Sequence, residues 1–258
     1  MRLLVTNDDG IESVLLHELV RALIAADHEV YVVAPKHEQS WTSASKTRNR
    51  PVSSAKVDRG LGCPTWIVDG TPSDSVNIAL DHLVPCTPEA VVSGINIGIN
   101  ASLGFILGSG TVAGACEGAL HGIPAIALSQ SFSVATYDEI KERGGKLDGA
   151  SLGVVRVSAE HAARIVPILA AKAKACSFVV HNLNFPNPCA EDAQMRQTVP
   201  ARIRSRGLFG ARTDDGAHTF TFKLGENVSP EPLMTDLAAL DAGFISHTVL
   251  DYSKLGSI

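Results

Sequence analysis

Two adjacent carboxylates stand near the start of the chain, in Asn7-Asp8-Asp9-Gly10, directly after the apolar residues 3–6. Adjacent carboxylates repel each other unless a cation lies beside them, so the pair indicates a metal site. Oxygen ligands without a cluster of thiols or imidazoles favour Mg²⁺ or Mn²⁺ over Zn²⁺. The alternative interpretation is a turn followed by a helix N-cap, where Asp is also favoured.

Two more oxygen-bearing side chains follow other predicted strands. Ser40 comes after the strand predicted at residues 29–34, and Asn96 comes after the strand at residues 90–92. Ligands of open α/β sheets bind beyond the carboxyl ends of the strands, so we expect both side chains near the acidic pair. There they would add neutral oxygens to the metal. Ordinary turn residues are the alternative for each of them.

A run of small residues, Gly108-Ser109-Gly110-Thr111-Val112-Ala113, leads into a predicted helix. Such a helix start exposes backbone N–H groups at the positive end of the helix dipole, which predicts an anion site. The same run fits G-x-G-x-x-A, the relaxed dinucleotide fingerprint, although the position near Gln130 offers no acid for a ribose. A nucleotide- or dinucleotide-binding protein or oxidoreductase is therefore a second hypothesis, and close helix packing is a third interpretation of the run.

The elements that must position these groups alternate between strand and helix. Apolar spacing predicts strands at residues 3–6, 29–34, 66–68, 90–92, 124–128 and 178–180, and helices at 14–24, 73–83, 111–120 and 159–175. Short βαβ connections favour parallel strands, so we predict a Rossmann-like, three-layer α/β/α fold with a mostly parallel sheet. Residues 101–108 and 131–153 are predicted to be loops or small excursions.

The strand–helix alternation stops near residue 187. Residues 198–208 and 218–224 alternate like strands, and Asp214-Asp215-Gly216 between them predicts a hairpin turn. We therefore predict a catalytic core at residues 1–187 and a β-rich C-terminal extension at residues 188–258.

Composition narrows the class of protein. Apolar residues make up 45% of the 258, and the formal net charge of −5 provides no basic footprint, so we expect no nucleic-acid polymer as partner. None of the five cysteines lies in a CxxC pair, which indicates reduced thiols and a cytoplasmic protein. The early acidic residues argue against a signal peptide, and no run of about 18 apolar residues predicts a membrane span.

Several motifs together resemble the signature of the SurE (survival protein E) nucleotidase family. They arrive in family order over nearly the whole chain, most densely in residues 1–130, and they are Asn7-Asp8-Asp9-Gly10, Ala34-Pro35 with Gln39-Ser40, Asp69-Gly70-Thr71-Pro72-Ser73-Asp74, Ser93-Gly94-Ile95-Asn96-Ile97-Gly98-Ile99-Asn100 and Ser109-Gly110-Thr111-Val112-Ala113. Each motif alone is weakly specific, whereas five in register are highly specific.

The resemblance implies a metal-dependent phosphatase that acts on nucleoside monophosphates at the 5′ or 3′ phosphate. It implies one divalent metal ion per subunit, Mg²⁺ or Mn²⁺, on Asp8, Asp9, Ser40 and Asn96, with the two aspartates as the catalytic pair. It places phosphate contacts at Asn96, Ser109, Gly110 and Thr111. It also implies homodimers or homotetramers that exchange their C-terminal arms.

Two segments depart from the family pattern. Trp41 stands where the family usually has glycine, and residues 101–108 lack the usual acidic residues and tyrosine. An indole beside a metal ligand would narrow the pocket or stack on a base. A phosphatase for a non-nucleotide phosphomonoester and a scaffold protein without activity therefore remain alternatives.

Overall fold

The computed structural model describes residues 1–143, 145–221 and 225–256, and a nine-stranded sheet runs through it. Along the sheet the order is β3-β4-β2-β1-β5-β6-β7-β11-β8. The strands are β1 Arg2–Thr6, β2 Glu29–Pro35, β3 Ser54–Val57, β4 Thr65–Val68, β5 Ala90–Ile97, β6 Ala125–Gln130, β7 Val179–Phe185, β8 Met195–Thr198 and β11 Ile245–Asp251, while β9 Ile203–Arg204 and β10 Glu226–Asn227 form a separate pair. Neighbours from β4 to β7 are parallel.

Helices cover both faces of this sheet. They are α1 Val14–Ala25, α2 Pro72–Ile78, α3 Leu103–Gly108, α4 Gly110–Leu120, α5 Val134–Glu142, α6 Gly149–Lys172 and α7 Asp236–Asp241. Leu3 and Val5 of β1 share a core cluster with α1 and α6, whereas Leu4 between them packs with residues of α2. Because successive strand residues face opposite sides, α1 and α6 lie on one face and α2 on the other. The predicted three-layer, mostly parallel α/β fold is confirmed.

The strand order reverses direction at β1. The chain passes from β1 to β2 on one side, whereas β5 flanks β1 on the other side. A crevice forms beyond the carboxyl ends of the strands at such a switch point, and ligands of open α/β sheets bind there. Asp8 and Asp9 follow β1, and Asn96 lies near the end of β5, so the fold brings these residues to that crevice.

Strand β5 is longer than predicted, and its shape places Asn96. It runs to Ile97 instead of ending at residue 92, with a register shift between Ser93 and Asn96 that pairs Asn96 with Ser129 of β6. Gly94 has φ +135°, and a side chain there would run into the backbone oxygen of Leu128. Glycine is therefore required for β5 to pass so close to β6.

Two predicted loops are in fact helical. Residues 101–108 contain α3, and residues 131–153 contain α5 and the first turns of α6. Helix α6 begins at Gly149 instead of residue 159, because the Asp148 carboxylate accepts a hydrogen bond from the Ser151 N–H at 2.7 Å and caps its first turn. The predicted helix at 73–83 is α2 followed by a π-helical turn at Ala79–Leu83, and the edge strand β3 was not predicted.

The C-terminal segment is joined closely to the sheet. Strand β11 pairs antiparallel with β7 and carries β8 on its outer side, and α7 precedes it. The hairpin turn predicted at Asp214-Asp215-Gly216 is present, since the Thr213 N–H donates to the Ala217 carbonyl at 2.9 Å. Residues 222–224 of the second predicted strand lie outside the described residues. The division at residue 187 and the exchange of arms stay predictions.

Among the described residues, no helix has both the length and the apolar character needed to cross a bilayer.

Asp236 joins the C-terminal segment to the turn before α3. Its buried carboxylate accepts hydrogen bonds from the backbone N–H groups of Ser102 at 2.7 Å and Ala201 at 2.9 Å. Burial raises the pKa of this carboxyl group, and these N–H donors act in the opposite direction by favouring the charged form. The carboxylate therefore holds three separate parts of the chain together.

We predict that Asp236→Ala lowers the free energy of unfolding by about 2–4 kcal/mol, because two buried N–H groups lose their acceptor. Urea denaturation followed by circular dichroism measures the change. Asp241, exposed at the other end of α7, is the matched control, and Asp241→Ala should stay within about 0.5 kcal/mol of the parent. Equal losses in the two variants would contradict the role given to Asp236.

Candidate metal and phosphate site

Asp8 sits against the start of α4. Its side chain is buried, and its carboxylate accepts hydrogen bonds from the hydroxyl and the backbone N–H of Thr111. A Cβ on Gly110 would lie 2.9 Å from both Cβ and Oδ2 of Asp8, so the close approach requires glycine. The N-terminus of α4 thus faces a carboxylate, which its dipole stabilises.

Asp9 and Asn96 lie together at the end of β5. The Asp9 carboxylate Oδ2 accepts a hydrogen bond from the Ile97 N–H at 2.9 Å. The Asn96 side chain is buried, and its Nδ2 donates to the Gly98 carbonyl at 2.9 Å. That bond fixes the orientation of the amide and leaves its Oδ1 on the opposite side, where it is available as a ligand.

Ser40 reaches the same region on the loop after β2. The neighbouring Gln39 N–H donates to the Asp8 carbonyl at 2.7 Å, and the Gln39 carbonyl would lie 3.0 Å from a Cβ on Gly110. Ser40 is therefore held beside Asp8 and the start of α4, although its hydroxyl is only half-buried.

Buried polar groups anchor the loop that carries Ser40. Lys46 forms an ion pair of 2.5 Å with Glu117 of α4, whose side chain is almost fully buried. The Asp74 carboxylate accepts from the Thr47 N–H at 3.1 Å and also completes a capping box with Thr71. Sequence reasoning did not assign a role to Glu117 or to this loop contact, although Thr71-Pro72-Ser73-Asp74 carries the capping-box pattern.

The first turn of α4 offers the expected anion site. Ser109 is its N-cap, and the Ser109 hydroxyl oxygen accepts from the Val112 N–H at 3.0 Å. Thr111, in contrast, directs its hydroxyl and its N–H at Asp8. The structure thus shows Thr111 positioning the carboxylate, while its predicted contact with phosphate stays a prediction.

Electrostatics at the site call for a cation. Burial raises the pKa of Asp8, the Thr111 hydrogen bonds act in the opposite direction, and the negative charge of Glu38 adds to the increase. No group of three or more His, Cys, Asp or Glu residues suited to a metal occurs in the described part of the chain. Two carboxylates with the neutral oxygens of Ser40 and Asn96 form an all-oxygen donor set, which fits Mg²⁺ or Mn²⁺.

The dinucleotide hypothesis does not fit this geometry. The Rossmann fingerprint needs a strand directly before its glycines, whereas the run from Gly108 follows helix α3. The histidines singled out in the sequence do not support it either. His121 ends α4, on the far side from Asp8, and His181 lies near the start of β7, where it bonds His247 at 2.9 Å.

Comparison with protein families matches residues 3–206 to the family described as survival protein SurE. The chain belongs to the SurE family. The curated protein "5'-nucleotidase SurE" of Desulforudis audaxviator is 32% identical over 100% of this chain and 96% of its own length. Proteins of the same name from Synechococcus elongatus and Brucella canis are each 33% identical, over 98% and 97% of this chain and 94% and 92% of theirs.

The solved SurE protein from Aquifex aeolicus has the same fold. It superposes with a TM-score of 0.75 at 27% identity, over 100% of this chain and 98% of that one. The resemblance to the SurE family expected from the motifs is confirmed. The metal and phosphate roles of the individual residues stay predictions, although the structure brings the SurE motifs at Asp8, Asn96 and Gly110 to one crevice.

We predict that Gly110→Ala costs about 1–3 kcal/mol of stability and weakens Mn²⁺ binding, because the added methyl displaces Asp8 or Gln39. Chemical denaturation and Mn²⁺ titration calorimetry measure the two effects. Gly104→Ala is the matched control, since no atom lies within 4 Å of its new methyl group. If Gly110→Ala bound Mn²⁺ as tightly as the control, the close approach of α4 to Asp8 would not matter for the site.

Proposed function

We propose that this chain is a divalent-metal-dependent phosphomonoesterase that hydrolyses nucleoside 5′-monophosphates to nucleoside and phosphate. The observation that carries the proposal is the contact of Asp8 with the first turn of α4, because it places a cation-binding carboxylate and an anion-binding helix end side by side. The 5′-nucleotidase names of the relatives support the reaction and the substrate class.

Asp8, Asp9, Ser40 and Asn96 would hold the metal ion. When bound, a Mg²⁺ or Mn²⁺ ion supplies charge stabilisation at the phosphoryl oxygens and acidifies bound water. The buried position of Asp8 strengthens this attraction, since charges interact more strongly where water is excluded. Both carboxylates reach the crevice, and either can take the proton from the attacking water.

The first turn of α4 holds the phosphate in this proposal. The N–H of Gly110 and the hydroxyl of Ser109 are the donors, and the helix dipole adds to the attraction for a dianion. The hydrogen bond from Thr111 keeps Asp8 fixed while the substrate binds. Donors preorganised in this way stabilise the charge that develops on the phosphoryl oxygens, which is usually the largest catalytic contribution.

The assembly and the location of the protein are part of the same proposal. Exposed apolar side chains in the C-terminal segment, among them Val199, Phe209 and Leu233, support a homodimer or homotetramer in which this segment contacts another subunit. All five cysteines are free thiols, which supports the reducing cytoplasm as the compartment. Sedimentation velocity tests the first point.

We predict that Asp8→Asn lowers metal-dependent phosphate release from AMP by more than about 100-fold. Mutating a group that merely supports a metal ligand costs about 10- to 100-fold in activity, and Asp8 is placed as the ligand itself. Colorimetric phosphate release in Mg²⁺, Mn²⁺ or EDTA measures the effect. EDTA should bring the parent protein to the level of the variant.

Asp58→Asn is the control for this experiment, because Asp58 is exposed and lies on the turn after β3. It should release phosphate at the parental rate. Full activity of Asp8→Asn would refute the site, and phosphate release by the parent that EDTA leaves unchanged would refute the role of the metal.

A further inference from the structure

Three aromatic rings form a wall beside the crevice. Trp41 packs against Phe105 of α3, with ring centroids 5.6 Å apart, and against Phe220 of the C-terminal hairpin, at 5.3 Å. Despite these two neighbours, 45% of Trp41 stays exposed. A large ring that is held on two sides and open on another is a preformed surface for a planar ligand.

The indole lies next to the groups placed on metal and phosphate. Trp41 directly follows Ser40 in the chain, and its Cε3 would be 2.9 Å from a Cβ on Gly108. Gly108 immediately precedes Ser109, the N-cap of α4. Trp41 therefore bridges the loop of the candidate metal ligand and the turn that leads into the candidate phosphate site.

The backbone at Trp41 adopts a conformation that a bulky residue rarely takes. Its φ is +62°, and Ser43 two residues later has φ +52°. The loop is held there by Ser43, whose N–H donates to the Gly108 carbonyl at 3.1 Å and whose hydroxyl donates to the Leu107 carbonyl at 2.7 Å. Glycine adopts this region without strain, so the presence of an indole there points to a use for the ring.

We infer that Trp41 is the platform on which the base of the nucleotide stacks. This inference rests on the proposed function, since it adds the base subsite to the phosphate site. The occupant is a nucleobase because the ring stands one residue from a candidate metal ligand, at the mouth of the site that holds the phosphate end of the same molecule. Aromatic stacking tolerates every base and favours the larger purines.

The experiment compares a purine nucleotide with the same molecule lacking its base. AMP and ribose 5-phosphate share the sugar and the phosphate, so the ratio of their kcat/KM values isolates the base. Trp41→Gly removes the ring at a position whose backbone suits glycine, and the fold should therefore persist. We expect the ratio to fall by about 5- to 150-fold, the effect of losing one base-stacking platform.

Trp41→Phe keeps an aromatic ring and should retain most of the preference for AMP. The control Trp66→Phe alters the second of the two tryptophans, which lies on β4 with Lys56 over its ring, and should leave the ratio as in the parent. An unchanged ratio in Trp41→Gly would overturn the inference, including the case in which the variant also sediments as a smaller species and Trp41 thus serves a subunit contact.

A binding measurement gives a second readout that needs no turnover. In Trp66→Phe, Trp41 is the remaining tryptophan, and stacking of adenosine on it should quench the fluorescence. Adenosine that leaves the emission unaltered at concentrations where it inhibits AMP hydrolysis would overturn the base platform. Failure of the parent to release phosphate from any substrate would refute the proposed function instead, so the two failures are distinguishable.

Discussion

The contact between Asp8 and the first turn of α4 is the constraint on which the rest of the site depends. A buried carboxylate is costly unless hydrogen bonds and favourable charge surround it. Thr111 and the helix dipole supply both, and Gly110 lets the helix start come close enough to do so. The strand end and the helix start are thereby locked together, and Asp9, Ser40 and Asn96 are arranged around that junction.

The loops beside this junction are held by buried polar contacts. Glu117, on the same helix whose start faces Asp8, also binds Lys46 and so ties down the loop that carries Ser40. Asp236 ties the C-terminal segment to the turn at Ser102, just before α3. Buried polar networks that are well satisfied rigidify their surroundings. The crevice is therefore preorganised by groups that do not themselves face the substrate, which is a requirement for electrostatic catalysis.

The two sides of the crevice are built differently. The metal side comes from strand ends and a helix start, which are buried and tightly packed around Gly110 and Asn96. The opposite wall comes from a loop, a short helix and a hairpin, and its rings at Trp41, Phe105 and Phe220 are joined by aromatic contacts. Loops on a rigid scaffold are where specificity varies most easily. Reaction type and substrate preference thus belong to separate parts of the molecule.

Local patterns in the sequence were enough to predict the α/β core, the hairpin turn at residues 214–216 and the acidic pair at a strand end, because periodicity and turn residues act over a few positions. They missed α3, α5 and the long β5, since polar or glycine-rich helices and a strand bent at Gly94 carry little periodic signal. They also treated Thr111 as a phosphate contact, whereas its hydroxyl is directed at Asp8, 103 residues away in the chain. Which groups face each other across such distances is decided by packing, and only the tertiary structure shows it.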